Sequence, residues 1–189
     1  MEYKDLTKVY EEKMTYDKFK TLSKDERTAL DNECKEKGVF KMSKVEYLRW
    51  KKFCELHREC MVGENGFHRF GAIGGGMKLT YYCKGDGIYD VHGFCEGCNS
   101  GVNLSTEQLG ITETDVPTDD KDFERRYNCY ANKTMGTIEY VRYKAFIEEH
   151  KDYIENIHVS FIGTGLGSIV CVYDDKTMEY ADLTDTDCW

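Results

Sequence analysis

The sequence predicts an α+β fold: a tandem duplication of a helix plus a three-stranded antiparallel hairpin unit, preceded by an N-terminal helical segment. Residues 44–58 and 137–151 align without a gap and share seven of fifteen residues. Each stretch is followed by a matching run, LTYYCKGDG at 79–87 and VSFIGTGLG at 159–167. A helix and a hairpin that recur in the same order indicate an internal repeat.

The N-terminal segment, residues 1–42, is predicted to be mostly helical. Ser23-Lys-Asp-Glu26 fits a capping box, in which the serine oxygen and the glutamate side chain each satisfy a backbone N–H. We therefore expect a helix near 24–36, with Gly38 after it as a left-handed cap.

The repeated stretches are predicted to be the helices of the two units. Ser43 and Glu46 form a second capping box, so the first helix should cover 44–59. In the second copy Thr137 is the expected N-cap, and the helix should extend to about residue 155. Apolar residues fall on one arc of each helix, which should pack on a sheet.

A glutamate and an arginine recur one turn apart in both helices. The pairs are Glu46 with Arg49 and Glu139 with Arg142. Their spacing favours an ion pair between positions i and i+3.

The strands are predicted by runs rich in β-branched and aromatic residues. Residues 77–83 and 88–95 should form the first hairpin, and 158–162 and 168–173 the second. A third strand should complete each unit, at 102–104 in the first and at 180–183 in the second.

These elements predict four regions along the chain. They are the N-terminal helical segment 1–42, a first repeat at 43–110, an acidic linker at 111–135 and a second repeat at 136–189.

The bulk composition limits the classes of function. The 189 residues are 40% hydrophobic and carry a net charge of −9, which disfavours direct binding of nucleic acid. The N-terminus lacks the apolar region of an export signal, and no stretch approaches the ~18 apolar residues of a membrane span. We therefore expect a cytoplasmic protein whose nine cysteines are reduced thiols or metal ligands.

Two features set the first repeat apart from the second. The offset between the copies is 93 at the helix and 80 at the hairpin, so the first copy carries 13 additional residues within 61–76. This insertion contains His68. The pair Cys95-Glu-Gly-Cys98 also occurs only in the first copy.

A CxxC pair in a tight turn is half of a common zinc site. Cys83 should lie at the tip of its hairpin, on the order of 20 Å from Cys95 at the rise of a strand, and is therefore an unsuitable third ligand. The base of the hairpin faces the insertion and the end of the preceding helix. The sequence thus predicts a zinc site formed by Cys60, His68, Cys95 and Cys98. The alternative is an ordinary turn that contains reduced cysteines.

Other motifs favour structural roles. The run GAIGGG at 71–76 precedes a strand, whereas a phosphate-binding loop follows a strand and opens a helix. His57 and His150 share a repeat position on the flank of the apolar arc, which favours packing. No catalytic motif of the common hydrolase classes is present, so the sequence does not predict an enzyme.

The second repeat ends in GTGLG at 163–167 and LTDTDCW at 183–189. With its helix, this pattern resembles small proteins of bacteriophages and mobile elements of Firmicutes, over about 55 residues of the second copy and more faintly the first. The resemblance implies a phage setting in a bacterial host. There, compact acidic proteins are often inhibitors of host defence, such as anti-CRISPR proteins.

Three classes of function follow from these observations. The first is a non-enzymatic inhibitor whose acidic surface binds a basic host defence protein, for example a nucleic-acid-binding effector. Five residues of the acidic stretch 111–124 are the predicted contacts: Asp115, Asp119, Asp120, Asp122 and Glu124. The second is a zinc-stabilised adaptor or regulatory module, and a hydrolase or nuclease fits least.

Overall fold

The computed structural model describes residues 2–61, 76–84, 88–163 and 167–188. Within them the chain is an α+β protein with six α-helices, a mixed seven-stranded sheet and a small two-stranded sheet. The predicted α+β class is confirmed. Several predicted features lie outside the described residues: His68, residues 71–75 of the glycine run, and the two hairpin turns at 85–87 and 164–166.

The helices and strands of the described residues are numbered in chain order. The helices are α1 (Thr7–Glu11), α2 (Tyr16–Thr21), α3 (Lys24–Lys37), α4 (Lys44–Leu56), α5 (Lys121–Tyr130) and α6 (Thr137–Glu149). The strands are β1 (Lys4–Asp5), β2 (Val39–Lys41), β3 (Met77–Cys83), β4 (Tyr89–Cys95), β5 (Ser100–Asn103), β6 (Asn132–Thr134), β7 (Ile157–Gly163), β8 (Ser168–Asp174) and β9 (Glu179–Asp182).

The large sheet contains two antiparallel meanders joined through their first strands. Its order is β1-β9-β8-β7-β3-β4-β5. All pairs are antiparallel except β1 with β9, which is parallel. Strands β3 and β7 are neighbours at the centre, where Thr80 lies opposite Ser160.

Helices α4 and α6 supply much of the core against this sheet. Phe53 of α4 and Phe146 of α6 are almost completely buried, as are the inward-facing residues Leu79, Tyr81 and Val159 of the central strands. No helix in the described part of the chain is both long and apolar enough to cross a membrane.

The predicted ion pairs inside α4 and α6 are wrong. The guanidinium of Arg49 donates to the carbonyl oxygens of Leu104 and Ile111 instead. That of Arg142 likewise donates to the carbonyl of Leu183. Both arginines are about 5% exposed. Because a buried carbonyl without a hydrogen-bond partner costs free energy, these bonds stabilise the contact between each helix and the end of a meander.

The glutamates of these pairs cap the helices. Glu46 accepts from the backbone N–H of Ser43, which confirms that predicted capping box, and the Ser23 box of α3 is confirmed as well. Glu139 accepts from the N–H of Gly136 at 2.7 Å, so Gly136 is the N-cap of α6 and the prediction of Thr137 was wrong by one residue.

Two predicted helix ends also require correction. Helix α6 ends at Glu149, not near 155, because His150 has non-helical angles and a 3-10 segment, Lys151–Asn156, follows. Gly38 ends α3 with φ of −86°, so it is not a left-handed cap. A glycine suits this position because a Cβ would lie 2.8 Å from the carbonyl oxygen of Cys34.

The predicted acidic linker, residues 111–135, contains regular structure. It includes α5, whose Phe123 is buried against the core, and β6, which pairs with β2. The N-terminal segment likewise adds β1 to the edge of the sheet. Helix α5 thus joins the first of these segments to the core, and β1 joins the second to the large sheet.

Candidate metal centre

A tight turn between β4 and β5 carries two of the candidate ligands. Cys95 is the last residue of β4, and Cys98 lies in the turn that leads to β5. Asn99 completes the reversal with a left-handed φ of 55°, which asparagine tolerates better than most residues. The strand therefore holds Cys95 inward while the turn holds Cys98 at the surface.

The end of α4 carries the other two candidates. His57 is the C-cap of the helix, and its backbone N–H still bonds to the carbonyl of Phe53. A 3-10 turn follows, in which the N–H of Cys60 bonds to the carbonyl of His57. Both side chains thereby project from one turn of backbone.

The turn docks closely on the helix end. At Gly97, a Cβ would lie only 2.5 Å from the carbonyl oxygen of Cys60. Real Cβ atoms do not approach an oxygen so closely, so a glycine is required for this contact. The close approach brings the two pairs of side chains together.

The four ligand atoms of His57, Cys60, Cys95 and Cys98 all lie within 4.8 Å of one another. His57 Nδ1 is 3.1 Å from Cys98 Sγ and 3.8 Å from Cys60 Sγ. Zn–S bonds of about 2.3 Å and Zn–N bonds of about 2.0 Å at tetrahedral angles place ligand atoms roughly 3.5–3.8 Å apart. Small side-chain adjustments therefore suffice, and the group could hold a metal ion.

Burial in this cluster is graded. Cys95 is completely buried, His57 and Cys60 are partly exposed, and Cys98 is exposed. The His57 ring packs on Phe53 with ring centroids 4.3 Å apart, which fixes the imidazole. The site is anchored in the core on one side and open to solvent on the other.

The thiols of the cluster are electrostatically linked. Hydrogen bonds lower the pKa of the Cys98 thiol to about 6. The largest effect comes from Ser100, and smaller ones come from Cys95, Cys60 and His57. The hydrogen bond to Cys98 raises the pKa of Cys60. Since the thiolate is the form that ligates metals, Cys98 is ready to coordinate at neutral pH.

Three of the four ligands predicted from the sequence lie in the cluster: Cys60, Cys95 and Cys98. The fourth, His68, lies outside the described residues. His57 was interpreted as a packing residue, and sequence reasoning missed its place among the sulfur atoms. The available signal was its spacing, because His57-x-x-Cys60 and Cys95-x-x-Cys98 have the same separation.

The predicted partner-binding acids lie on and before α5. Asp115 accepts from Thr112, and Asp120 caps α5 by accepting from the N–H groups of Asp122 and Phe123. Asp122 pairs with Arg125 and Glu124 with Lys44, both at the surface, while Asp119 has a left-handed φ of 64°. Most of these carboxylates thus have local partners, yet the segment remains net negative.

No family model, curated protein or solved structure is significantly similar to the chain. The interpretation of the site therefore depends on its geometry and chemistry.

Proposed function

We propose that the chain is a zinc-stabilised binding module without catalytic activity. One observation carries the proposal: one imidazole nitrogen and three cysteine sulfurs lie within 4.8 Å of one another. Three thiolates and one imidazole are a common ligand set of structural zinc.

The ligand set favours zinc over other metals and a structural role over a catalytic one. Thiolates disfavour hard cations such as magnesium and calcium, and a tetrahedral set of sulfur and nitrogen suits zinc. Four protein ligands fill the tetrahedron, whereas a catalytic zinc keeps one position for water or substrate.

A metal at this site would cross-link two distant parts of the first repeat. It would join the end of α4, at His57 and Cys60, to the turn at Cys95 and Cys98. Because ligands this far apart come together only in the folded chain, the binding free energy would contribute to stability.

Metal analysis of purified protein tests the proposal. We expect close to one zinc per chain, and Cys95→Ser should lose it together with stability. Cys171→Ser is the matched control, because Cys171 is a buried strand cysteine of the second repeat outside the cluster. Wild-type protein without zinc, and with a melting temperature that chelation leaves unchanged, would overturn the proposal.

The identity of the histidine ligand is tested separately. His57→Ala should lose the zinc, whereas His68→Ala should retain it. The reverse result would assign the site to Cys60, His68, Cys95 and Cys98, the set predicted from the sequence.

We also propose that the two meanders arose by tandem duplication. The central strand pair supports this, because Thr80 and Ser160 are equivalent positions of the repeat and lie opposite each other, with hydroxyl oxygens 3.0 Å apart. Such pairing is what a two-fold relation between copies produces.

The hydrogen bonds at the ends of the meanders give further support. The backbone N–H of Val91 donates to Ser105 Oγ, and that of Val170 donates to Thr184 Oγ1, at equivalent positions. A crystal structure whose two units did not superpose by a rotation about the contact between Thr80 and Ser160 would contradict the duplication.

As a second candidate, we propose that the module inhibits a bacterial host defence protein in the phage setting that the resemblance implies. The acidic stretch 111–124 supports it, since its exposed carboxylates would attract a basic surface. Titration of a defence nuclease should show linear loss of activity up to one equivalent. Complete inhibition by a small fraction of an equivalent would instead indicate an enzyme.

Asp119 and Asp122 are the acids to change in that assay, because Asp115 and Asp120 hold local structure. Asp119→Asn with Asp122→Asn should slow association and flatten its salt dependence. Unchanged association would remove these acids from the interface.

A further inference from the structure

A surface groove combines cations with aromatic rings, although the chain carries a net charge of −9. It lies between α4, α5 and β6 and has a volume of about 740 Å³. We call it the basic groove; its lining includes Trp50, Lys51, Arg58, Arg126, Tyr130 and Lys133.

The four cations of the basic groove are unpaired within the described part of the chain. Among the described residues, the side chains of Lys51, Arg58, Arg126 and Lys133 make no ion pair and no hydrogen bond. Elsewhere on the surface, cations such as Lys44 and Lys144 are paired with carboxylates. Glu55 is the only acid among the described residues that line the groove, so four cations and one carboxylate leave a positive excess of three charges.

Part of this positive charge, on Lys133, is energetically unfavourable because it is partly removed from water. Its ammonium group is half-buried, and desolvation lowers its pKa. The neighbouring thiol of Cys54 gives little compensation, since burial raises the pKa of that thiol to about 12 and keeps it neutral. An unpaired, partly desolvated cation is stabilised when an anion binds beside it.

The aromatic rings offer a second kind of contact. Tyr130 is 62% exposed at the C-terminal end of α5, and Trp50 lines the groove while its indole packs on Gly93. Flat rings beside cations suit a ligand with a planar ring system and a negatively charged group.

We propose that the basic groove binds a small phosphorylated nucleoside. Its base stacks on Tyr130 or Trp50, and its phosphates contact Arg58, Arg126 and Lys133. The inference names a ligand class for the proposed binding module and so rests on that function. The volume of the groove lies within the usual range for small-molecule sites.

A mononucleotide fits the surroundings better than a nucleic-acid strand. The net charge of −9 repels a long phosphate backbone more strongly than it repels a single nucleotide.

The groove is also next to the proposed zinc site. Arg58 directly follows His57, and Cys60 lies two residues further on. A metal that fixes the end of α4 would fix the Arg58 backbone as well, so chelation should weaken the binding of the nucleotide.

Fluorescence titration of the zinc-loaded full chain tests the inference. Trp50 and Trp189 are the only two tryptophans, so a Trp189→Phe background leaves Trp50 as the reporter. The probes are the four ribonucleoside triphosphates, inorganic triphosphate, hexaglutamate and a thymidine decanucleotide. At least one nucleoside triphosphate should bind more tightly than the other three kinds of probe.

Variants assign the contacts. Arg126→Gln should weaken the nucleotide about ten-fold, whereas the matched control Arg27→Gln, on α3 outside the groove, should leave it unchanged. Tyr130→Leu should weaken the nucleotide about ten-fold and leave inorganic triphosphate unaffected.

Three results would overturn the inference. They are no binding of any nucleotide, equal binding of hexaglutamate or inorganic triphosphate, and tighter binding of the decanucleotide. Zinc content is measured on the same samples, so a zinc-loaded chain that binds no nucleotide rejects the groove without rejecting the metal site.

Discussion

The two halves of the chain end their central hairpins in different ways. In the first half, Cys95 and Cys98 of the turn meet His57 and Cys60 from the end of α4. In the second half, the histidine at the equivalent position, His150, bonds through Nε2 to a carboxylate oxygen of Glu179 at 3.0 Å. The end of the helix and the region of the turn are thus connected by a candidate metal cluster in the first half and by a hydrogen bond in the second.

The two turns also differ in the side chains that stabilise them. Asp174 occupies the position of Cys95 and accepts from the backbone N–H groups of Lys176 and Thr177. The last residue of each turn, Asn99 or Met178, has a left-handed φ of 55° or 57°. The backbone conformation is therefore shared, while the side chains that close the turn differ.

The difference shows what a metal site requires beyond its ligands. Gly97 lets the first turn touch the Cys60 backbone, whereas the second turn has Lys176 at that position. A metal cluster needs close approach of two segments, and in the first half one glycine allows it.

Removal of zinc should have the largest effect on stability, and it should act on the first half and not on the second. At free zinc 1,000-fold above its Kd, chelation should lower the free energy of unfolding by about 4 kcal/mol. Urea denaturation with and without chelator measures this loss. Hydrogen exchange should increase in β4 and β5 and remain unchanged in β8 and β9; equal increases in both hairpins would contradict the assignment.

The two buried arginines occupy equivalent positions in α4 and α6, so their replacement should have similar effects. Arg49→Met and Arg142→Met should each cost about 3 kcal/mol, because buried carbonyl oxygens lose charged donors. Chemical denaturation of the two variants provides the measurement. A large loss for only one of them would show that the two networks are not equivalent.

Gly97→Ala tests the close approach of turn and helix. The added Cβ would overlap the Cys60 carbonyl, so we expect a loss of about 2 kcal/mol and weaker zinc binding. Gly163→Ala is the control, because a Cβ at that position meets no described residue within 4 Å. Equal behaviour of the two variants would show that contact with Gly97 is unimportant.

The smallest effect is expected from the histidine of the second half. His150→Gln should cost about 1 kcal/mol, because a glutamine amide can replace only one of the two contacts that the imidazole makes, with Glu179 and with the carbonyl of Phe146, and it should leave zinc content unchanged. His57→Gln, the same change in the first half, should lose the zinc. Retention of zinc by both variants would remove His57 from the site.

The sequence predicted the parts of the fold that depend on local patterns. The strands β3, β4, β7 and β8 lie within one or two residues of their predicted bounds, because alternating β-branched and aromatic residues identify half-buried strands. The capping boxes at Ser23 and Ser43 were also predicted correctly, because each depends on two residues only three positions apart.

The missed elements depend on long-range contacts. Strands β1, β2 and β6 have two or three residues each, too few for a periodic pattern, and exist through pairing with distant segments. Helix α5 was hidden by the acidic composition of its region, although Asp120 caps it. His57 was missed because its role depends on where the turn between β4 and β5 contacts the end of α4. The sequence of α4 alone does not predict that contact.

X-ray absorption at the zinc edge of the purified protein is the most direct test of the central claim, that one histidine and three cysteines of the first half hold zinc. We expect three sulfur neighbours at about 2.3 Å and one nitrogen neighbour at about 2.0 Å. A zinc bound only by nitrogen and oxygen, or one with fewer than three sulfur neighbours, would contradict it.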